Sequence, residues 1–152
     1  MLRLSKKADY ALISMTHLAL NGDGSSSARE IAGLYDIPIE LLAKILQRLV
    51  RRGLLVSQQG TRGGYQLARV PVLISVVDVI QAIDGPVTVT ACSPEDGHTC
   101  EQFAKCNVRD PLWRVRERIL NALGECTIAA LAADQPAPPE PTAHAMLLHS
   151  HI

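Results

Sequence analysis

The sequence predicts a mainly α-helical fold carrying one small β-hairpin. Three observations predict it. Apolar residues recur at helical spacing in several separate stretches. Aromatic residues are only 3% of a chain that is 47% hydrophobic, so the core must rest on Leu, Ile, Val and Ala. One glycine-rich turn separates two short strand-like runs. A length of 152 residues suits one compact domain with appendages.

Ser5 to Asn21 reads as a helix, with Ser5 as cap and Ala11, Leu12, Met15, Leu18 and Ala19 on one face. Asn21-Gly-Asp-Gly-Ser is a loop. A short helix follows from about Ser27 to Leu34, where Ser27 and Glu30 have the spacing of a capping box. Asp36-Ile-Pro is a turn, and Pro38 suits the first turn of a third helix running to about Arg52. On that helix Leu42, Ile45, Leu46, Leu49 and Val50 form one face. Glu40, Lys44, Gln47, Arg48 and Arg51 form the other, and Gly53 ends it.

Two helices joined by a tight turn, the second with a basic outer face, make a helix-turn-helix pattern. The hairpin comes next: Leu54 to Gln59, then Gly60-Thr-Arg-Gly-Gly, then Tyr65 to Ala68. A hairpin directly after such a helix is a wing. Gly60, Gly63 and Gly64 permit tight, positive-φ backbone there, and Arg62 sits at the tip. Ser75 to Ile83 is a short helix broken by Gly85-Pro86. Residues 91–108 lack periodicity. A long amphipathic helix spans about Arg109 to Leu123, with Leu112, Val115, Ile119, Leu120 and Leu123 as its stripe. Thr127 to Ala132 forms a last turn or two, and the Pro-rich segment after Asp134 reads as disordered.

The net charge of zero hides an asymmetry. Residues 1–69 hold ten Lys and Arg against five Asp and Glu, a balance of +5; the remainder holds five against ten, −5. A basic half fits a polyanion partner, although surface charge also segregates by chance. Lys44, Arg48, Arg51, Arg62, Gly63 and Gly64 are the residues expected at double-stranded DNA. No Ser/His/Asp set, phosphate loop or paired-carboxylate site stands out, so no enzyme is expected. No apolar run approaches the roughly 20 residues of a membrane span. Nor does a signal-type block open the chain, so a cytoplasmic location is expected.

Three of the four cysteines, Cys92, Cys100 and Cys106, are spaced C-x7-C-x5-C. Clustered thiols in a reducing compartment point to metal or redox chemistry. The absence of a C-x2-C pair argues against a zinc ribbon or a bacterial ferredoxin pattern. Three soft thiolates suit three corners of an iron–sulfur cluster; zinc, a thiol switch and incidental cysteines are the alternatives. Cys126, in apolar company, reads as a small buried hydrophobe. The stripe on the long helix needs a cover, and a palindromic DNA site calls for a homodimer; packing within the chain is the competing explanation.

Several segments together carry a resemblance. They are the opening Leu2-Arg-Leu-Ser-Lys-Lys-Ala-Asp-Tyr-Ala, the wing Gly60-Thr-Arg-Gly-Gly-Tyr-Gln-Leu, Ser75-Val-Val-Asp-Val-Ile-Gln-Ala-Ile-Asp-Gly, and the cysteine loop followed by Leu112-Trp113. Over about residues 1–133 the chain resembles the Rrf-type bacterial winged-helix transcription regulators, which include IscR and the nitric-oxide sensor NsrR. It is most similar to the branch that regulates the SUF iron–sulfur assembly operon. The resemblance implies a homodimeric repressor whose [2Fe-2S] or [4Fe-4S] cluster is held by Cys92, Cys100 and Cys106. It implies a fourth ligand that varies by branch. IscR has a His shortly after the third cysteine, and here that stretch has none. Asp9 matches the aspartate that reaches across from the partner subunit in the nitric-oxide sensor, and Asp110 is the local alternative. Gln59 stands where Arg is common before the wing glycines, and Ala43 where IscR has Glu, so a different operator is implied.

The expected organisation is a winged helix-turn-helix at 1–84, a cluster-binding loop at 85–108, a dimerisation helix and turn at 109–133, and a disordered tail at 134–152. The alternatives are a nitric-oxide or redox-sensing repressor, a small iron–sulfur redox protein, and a zinc-stabilised DNA-binding module.

Overall fold

The computed structural model describes residues 3–61, 63–90, 92 and 100–135. Six helices and one hairpin follow in order: α1 (Lys6–Leu20), α2 (Ala28–Leu34), α3 (Ile39–Arg51), β1 (Leu55–Gln58), β2 (Gly64–Leu67), α4 (Val76–Asp84), α5 (Arg109–Glu125) and α6 (Ile128–Ala133). Short 3-10 turns lie at Pro71–Leu73 and Phe103–Lys105.

Local chemistry sets the helix starts. The Ser5 Oγ accepts from the Ala8 N–H and donates to Asp84 Oδ1 at 2.6 Å, so one hydroxyl caps α1 and ties it to the end of α4. Ser27 and Glu30 form the expected capping box of α2, and Ser75 and Asp78 form a second one on α4. The Thr127 side chain caps α6. Pro38 is the N-cap of α3 rather than a first-turn residue; its backbone is still extended (ψ 119°), and the helix begins one position later. Between α2 and α3, Asp36 has φ 53°, a left-handed conformation that Asp tolerates in tight turns.

The core is aliphatic, as the composition requires. Met15, Leu18, Ile31, Leu42, Leu46, Leu49, Leu55, Ile74, Val79 and Ile128 are almost fully buried in one cluster. α1 lies at its centre and packs against α3, α4, α6 and β2, while α3 also packs against α2 and α4. Buried Ser14 donates its hydroxyl to the Tyr10 carbonyl within α1, so its polar group is satisfied inside the core.

The hairpin is antiparallel, pairing Leu55 with Leu67 and Gln58 with Gly64. Only Gly60 of the three wing glycines has positive φ (125°). Gly63 and Gly64 are needed for a different reason than the expected backbone freedom. A Cβ on Gly64 would lie 2.6 Å from the Ser26 backbone, and one on Gly63 would lie 2.7 Å from the Gln58 carbonyl oxygen. The loop before α2 thus abuts the second wing strand: Ser26 N–H donates to Tyr65 O (3.2 Å) and Tyr65 N–H donates to Ser26 O (2.8 Å).

A further bridge closes the molecule. Val76 N–H donates to Cys126 O and Ile128 N–H donates to Ile74 O, each at 2.8 Å. These bonds fasten the start of α4 to the α5–α6 turn. Cys126 is only half-buried, not the core hydrophobe expected, because this turn runs along the surface while Ile128 beside it takes the core position.

Truncating Leu46 to Ala should cost about 2–5 kcal/mol. Lys44→Ala, on the opposite face of the same helix, should stay within about 0.5 kcal/mol. Urea unfolding followed by circular dichroism checks both, and equal losses would contradict the assigned faces.

Candidate nucleic-acid interface and cysteine site

Burial of the apolar face of α3 leaves Lys44, Arg48 and Arg51 exposed. Their roles are not equal. Arg48 donates from Nε to the Ala82 carbonyl at 2.8 Å, near the end of α4, so part of its guanidinium is committed within the fold. That bond satisfies a C-terminal carbonyl of α4 and braces α3 against it. Lys44 and Arg51 are the outward cations of the helix. Gly63 and Gly64 stand half-buried at the wing root, and Arg62 lies outside the described residues.

The wing root is held from two sides. Gln66 Nε2 donates to the Asp23 carbonyl at 2.6 Å and pairs across the hairpin with Gln58. Behind it, His17 sits between two hydroxyls, with Nδ1 3.1 Å from Tyr35 Oη and Nε2 3.1 Å from Ser26 Oγ. Burial pushes the His17 pKa down, opposed by the charge of Glu30; burial pushes the Tyr35 phenol up.

The second site lies at the foot of α5. Cys92 is buried, Cys100 and Cys106 are half-buried, and all three are free thiols, as is Cys126. Cys92 is tied to α5 through its backbone, because the Trp113 indole N–H donates to the Cys92 carbonyl at 3.3 Å. Thr90 also donates its hydroxyl to that carbonyl at 2.5 Å. Phe103, in the turn between Cys100 and Cys106, packs 6.2 Å from Trp113. The Arg109 guanidinium covers both rings, 4.6 Å from Phe103 and 5.5 Å from Trp113, and donates from Nη1 to the Phe103 carbonyl.

Arg109 also pairs with Asp110 at 2.8 Å. That hydrogen bond is the largest influence raising its pKa. Partial desolvation opposes it, and the charges of Asp110, Cys106 and Cys92 reinforce it. The same hydrogen bond holds the Asp110 carboxyl below its ordinary value. One cation therefore lies in the electrostatic reach of two of the three thiols.

The described residues contain no group of three or more His, Cys, Asp or Glu side chains gathered as metal ligands. Asp9 is half-buried in the first turn of α1. Asp110 is exposed and engaged by Arg109. His98, between the first two cysteines, lies outside the described residues.

Sequence reasoning located the thiols but not the clamp around them. Its signal was present: Arg109 and Trp113 are four apart on one helix and so share a face, and Trp113 is the only tryptophan in the chain. The His17 bridge left no signal in periodicity, because its partners come from separate segments.

Residues 4–134 match the Rrf2 family, described as iron-dependent transcriptional regulators. The chain belongs to the Rrf2 family. It is 34% identical over 136 residues to the HTH-type transcriptional regulator IscR of Yersinia pestis, covering 88% of this chain and 81% of that protein. An Aquifex aeolicus protein described as an HTH-type transcriptional regulator is 38% identical over 95 residues, 62% of this chain; the match spans 65% of that protein's length. Among solved structures, CymR, the global cysteine regulator of B. subtilis, superposes with a TM-score of 0.75 at 29% identity, covering 90% of this chain and all of that one.

The chain is thus a DNA-binding winged-helix transcription regulator and not an enzyme. No described helix is long and apolar enough to cross a membrane.

If Trp113 and Arg109 hold Cys92 in place, its thiol should alkylate most slowly of the three in reduced, metal-free protein. Trp113→Ala should erase that difference. Mass-spectrometric labelling with iodoacetamide reads both, and an unchanged Cys92 rate in the variant would show that the clamp does not protect it.

Proposed function

We propose that this regulator is a homodimeric repressor whose DNA affinity is set by an iron–sulfur cluster on Cys92, Cys100 and Cys106, acting on iron–sulfur assembly genes of the SUF type. The observation that carries the reading is the position of the cysteine segment. It is clamped to the start of α5, a 17-residue helix with no buried side chain.

The donor chemistry fits the cluster. Three free thiols are soft ligands suited to iron, and Arg109 supplies positive charge beside two of them, where an anionic cluster would sit. Asp9 from the partner subunit, or Asp110, is proposed as the fourth ligand; Asp110 would first have to leave Arg109. When bound, the group would supply a charge and ligand set that changes with iron supply or oxidants.

The chain's own residues would transmit that change. Cys92 and Phe103 are bonded to Trp113 and Arg109, so displacing the loop pulls on the first turns of α5. Val115 is 43% exposed, and Leu112, Ile119, Leu120 and Leu123 are half-buried in the isolated chain. A second copy covering this stripe would put two α3 helices at a fixed spacing, the requirement for a palindromic operator. Lys44, Arg51 and Arg62 would contact DNA, with Arg48 contributing what its bond to Ala82 leaves free. Gly63 and Gly64 would serve the DNA face by letting the wing close against Ser26 and Gln58.

A second reading, a regulator that responds through its thiols without a cluster, draws support from the four free cysteines and from the likeness to a cysteine regulator. Iron and acid-labile sulfide per chain, on protein purified without oxygen, separate the two. The cluster reading expects stoichiometric iron and sulfide, lost in Cys92→Ala. A metal-free wild type favours the thiol reading, and zinc favours a structural site.

The DNA face has its own check. With a mixed-sequence duplex, Lys44→Ala and Arg51→Ala should each flatten the slope of log affinity against log salt by about 1. An unaltered slope would remove that residue from the interface.

A further inference from the structure

The His17 bridge connects the two elements that a winged helix brings to DNA. Tyr35 is the C-cap of α2, in the turn that leads to α3. Ser26 is 5% exposed and holds the wing through two backbone hydrogen bonds to Tyr65. The His17 and Tyr35 rings meet edge to face at 5.5 Å.

The polarity of the bridge follows from donor counting. Ser26 Oγ already accepts from Asn21 Nδ2 at 3.2 Å. Ser26 is buried and Tyr35 only half-buried, so the arrangement that leaves no buried proton unspent has Ser26 O–H donating to Nε2 and His17 Nδ1–H donating to Tyr35 Oη, with the Tyr35 O–H at the open end. That is a neutral imidazole in its Nδ1–H tautomer.

We propose that His17 is a positioning residue for DNA binding: its neutral Nδ1–H imidazole sets the wing against the helix-turn-helix by accepting from Ser26 and donating to Tyr35. A proton added at Nε2 makes both ring nitrogens donors. The buried Ser26 hydroxyl hydrogen then loses its acceptor, and the wing anchor weakens. The titratable groups facing His17 are Glu30 and Tyr35 on α2, with Tyr65 reached through Ser26 on the wing.

The direction of the pH effect is fixed. Burial lowers the folded pKa of His17 below 6.5, so the bridge is fully present at neutral pH. It is lost as pH falls through that lowered value. Glu30 moderates the depression without reversing it.

The test uses the full chain with nitrogen-15 histidine spectra, amide exchange at Tyr65, and affinity for a mixed-sequence duplex of about 40 base pairs. The histidine spectrum should show His17 as the Nδ1–H tautomer at neutral pH. As pH falls from about 7.5 through the lowered His17 value, the Tyr65 protection factor should fall on the order of tenfold, with duplex affinity falling alongside it, while protection of Leu46 in α3 holds. His17→Gln keeps a donor and an acceptor without titrating. It should match wild type within about twofold at the higher pH and remove the pH dependence. His17→Ala should lose protection across that range.

An Nε2–H or charged His17 at neutral pH, or the same acid response in His17→Gln, would overturn the proposal. The exchange and tautomer measurements do not depend on which residues touch DNA. A flat duplex affinity beside a pH-dependent Tyr65 would therefore show a wing anchor that has no part in DNA binding, and would overturn the positioning role.

Discussion

Everything that faces outward is set by what α3 buries. Leu42, Ile45, Leu46 and Leu49 occupy one face of a 13-residue helix and are held under α1 and α4. A 3.6-residue period then leaves no choice about Lys44 and Arg51, which must point to solvent. The hydrophobic effect thus aims the cations, without any attraction between them and a ligand. The Arg48 bond to Ala82 adds a rotational stop, since α3 cannot roll against α4 without breaking a charge-assisted hydrogen bond.

Elements whose cause is local were legible in the sequence. The caps at Ser5 and Ser27, the turn at Asp36 and the hairpin at Gly60 were accessible because their partners lie within a few residues. What escaped was non-local. The need for glycine at position 64 comes from Ser26, 38 residues earlier in the chain, and not from backbone dihedrals. Cys126 appeared core-like from its neighbours, but the bridge to Val76 holds that turn at the surface. His17, Ser26 and Tyr35 are three polar residues in three different segments, and nothing in their spacing announces a shared network. For the thiols, the sequence supplied the donor set and the lone tryptophan. Their attachment to α5 needed the geometry of Arg109.

That attachment uses three kinds of interaction at one point: a cation over the Phe103 ring, an indole hydrogen bond to the Cys92 carbonyl, and a guanidinium hydrogen bond to the Phe103 carbonyl. None is strong in water-exposed surroundings. Together they give the irregular cysteine segment a defined seat on a regular helix. Part-buried contacts of modest strength hold this segment in place without locking it as core packing would.

The bridge from Ile74 and Val76 to Cys126 and Ile128 has a consequence for how such a protein can be rebuilt. Ile128 fills the same core as Met15 and Leu46, although it follows the cysteines by more than twenty residues. The chain leaves the reading head, builds the cysteine segment and α5, and returns to finish the reading head's interior. A fragment cut before the cysteines would lack part of its own core. The segment between is therefore an insertion spanning two halves of one cooperative unit rather than a detachable cassette. Grafting a foreign segment onto this scaffold would mean replacing a stretch whose two ends are already fixed, not joining a new terminus.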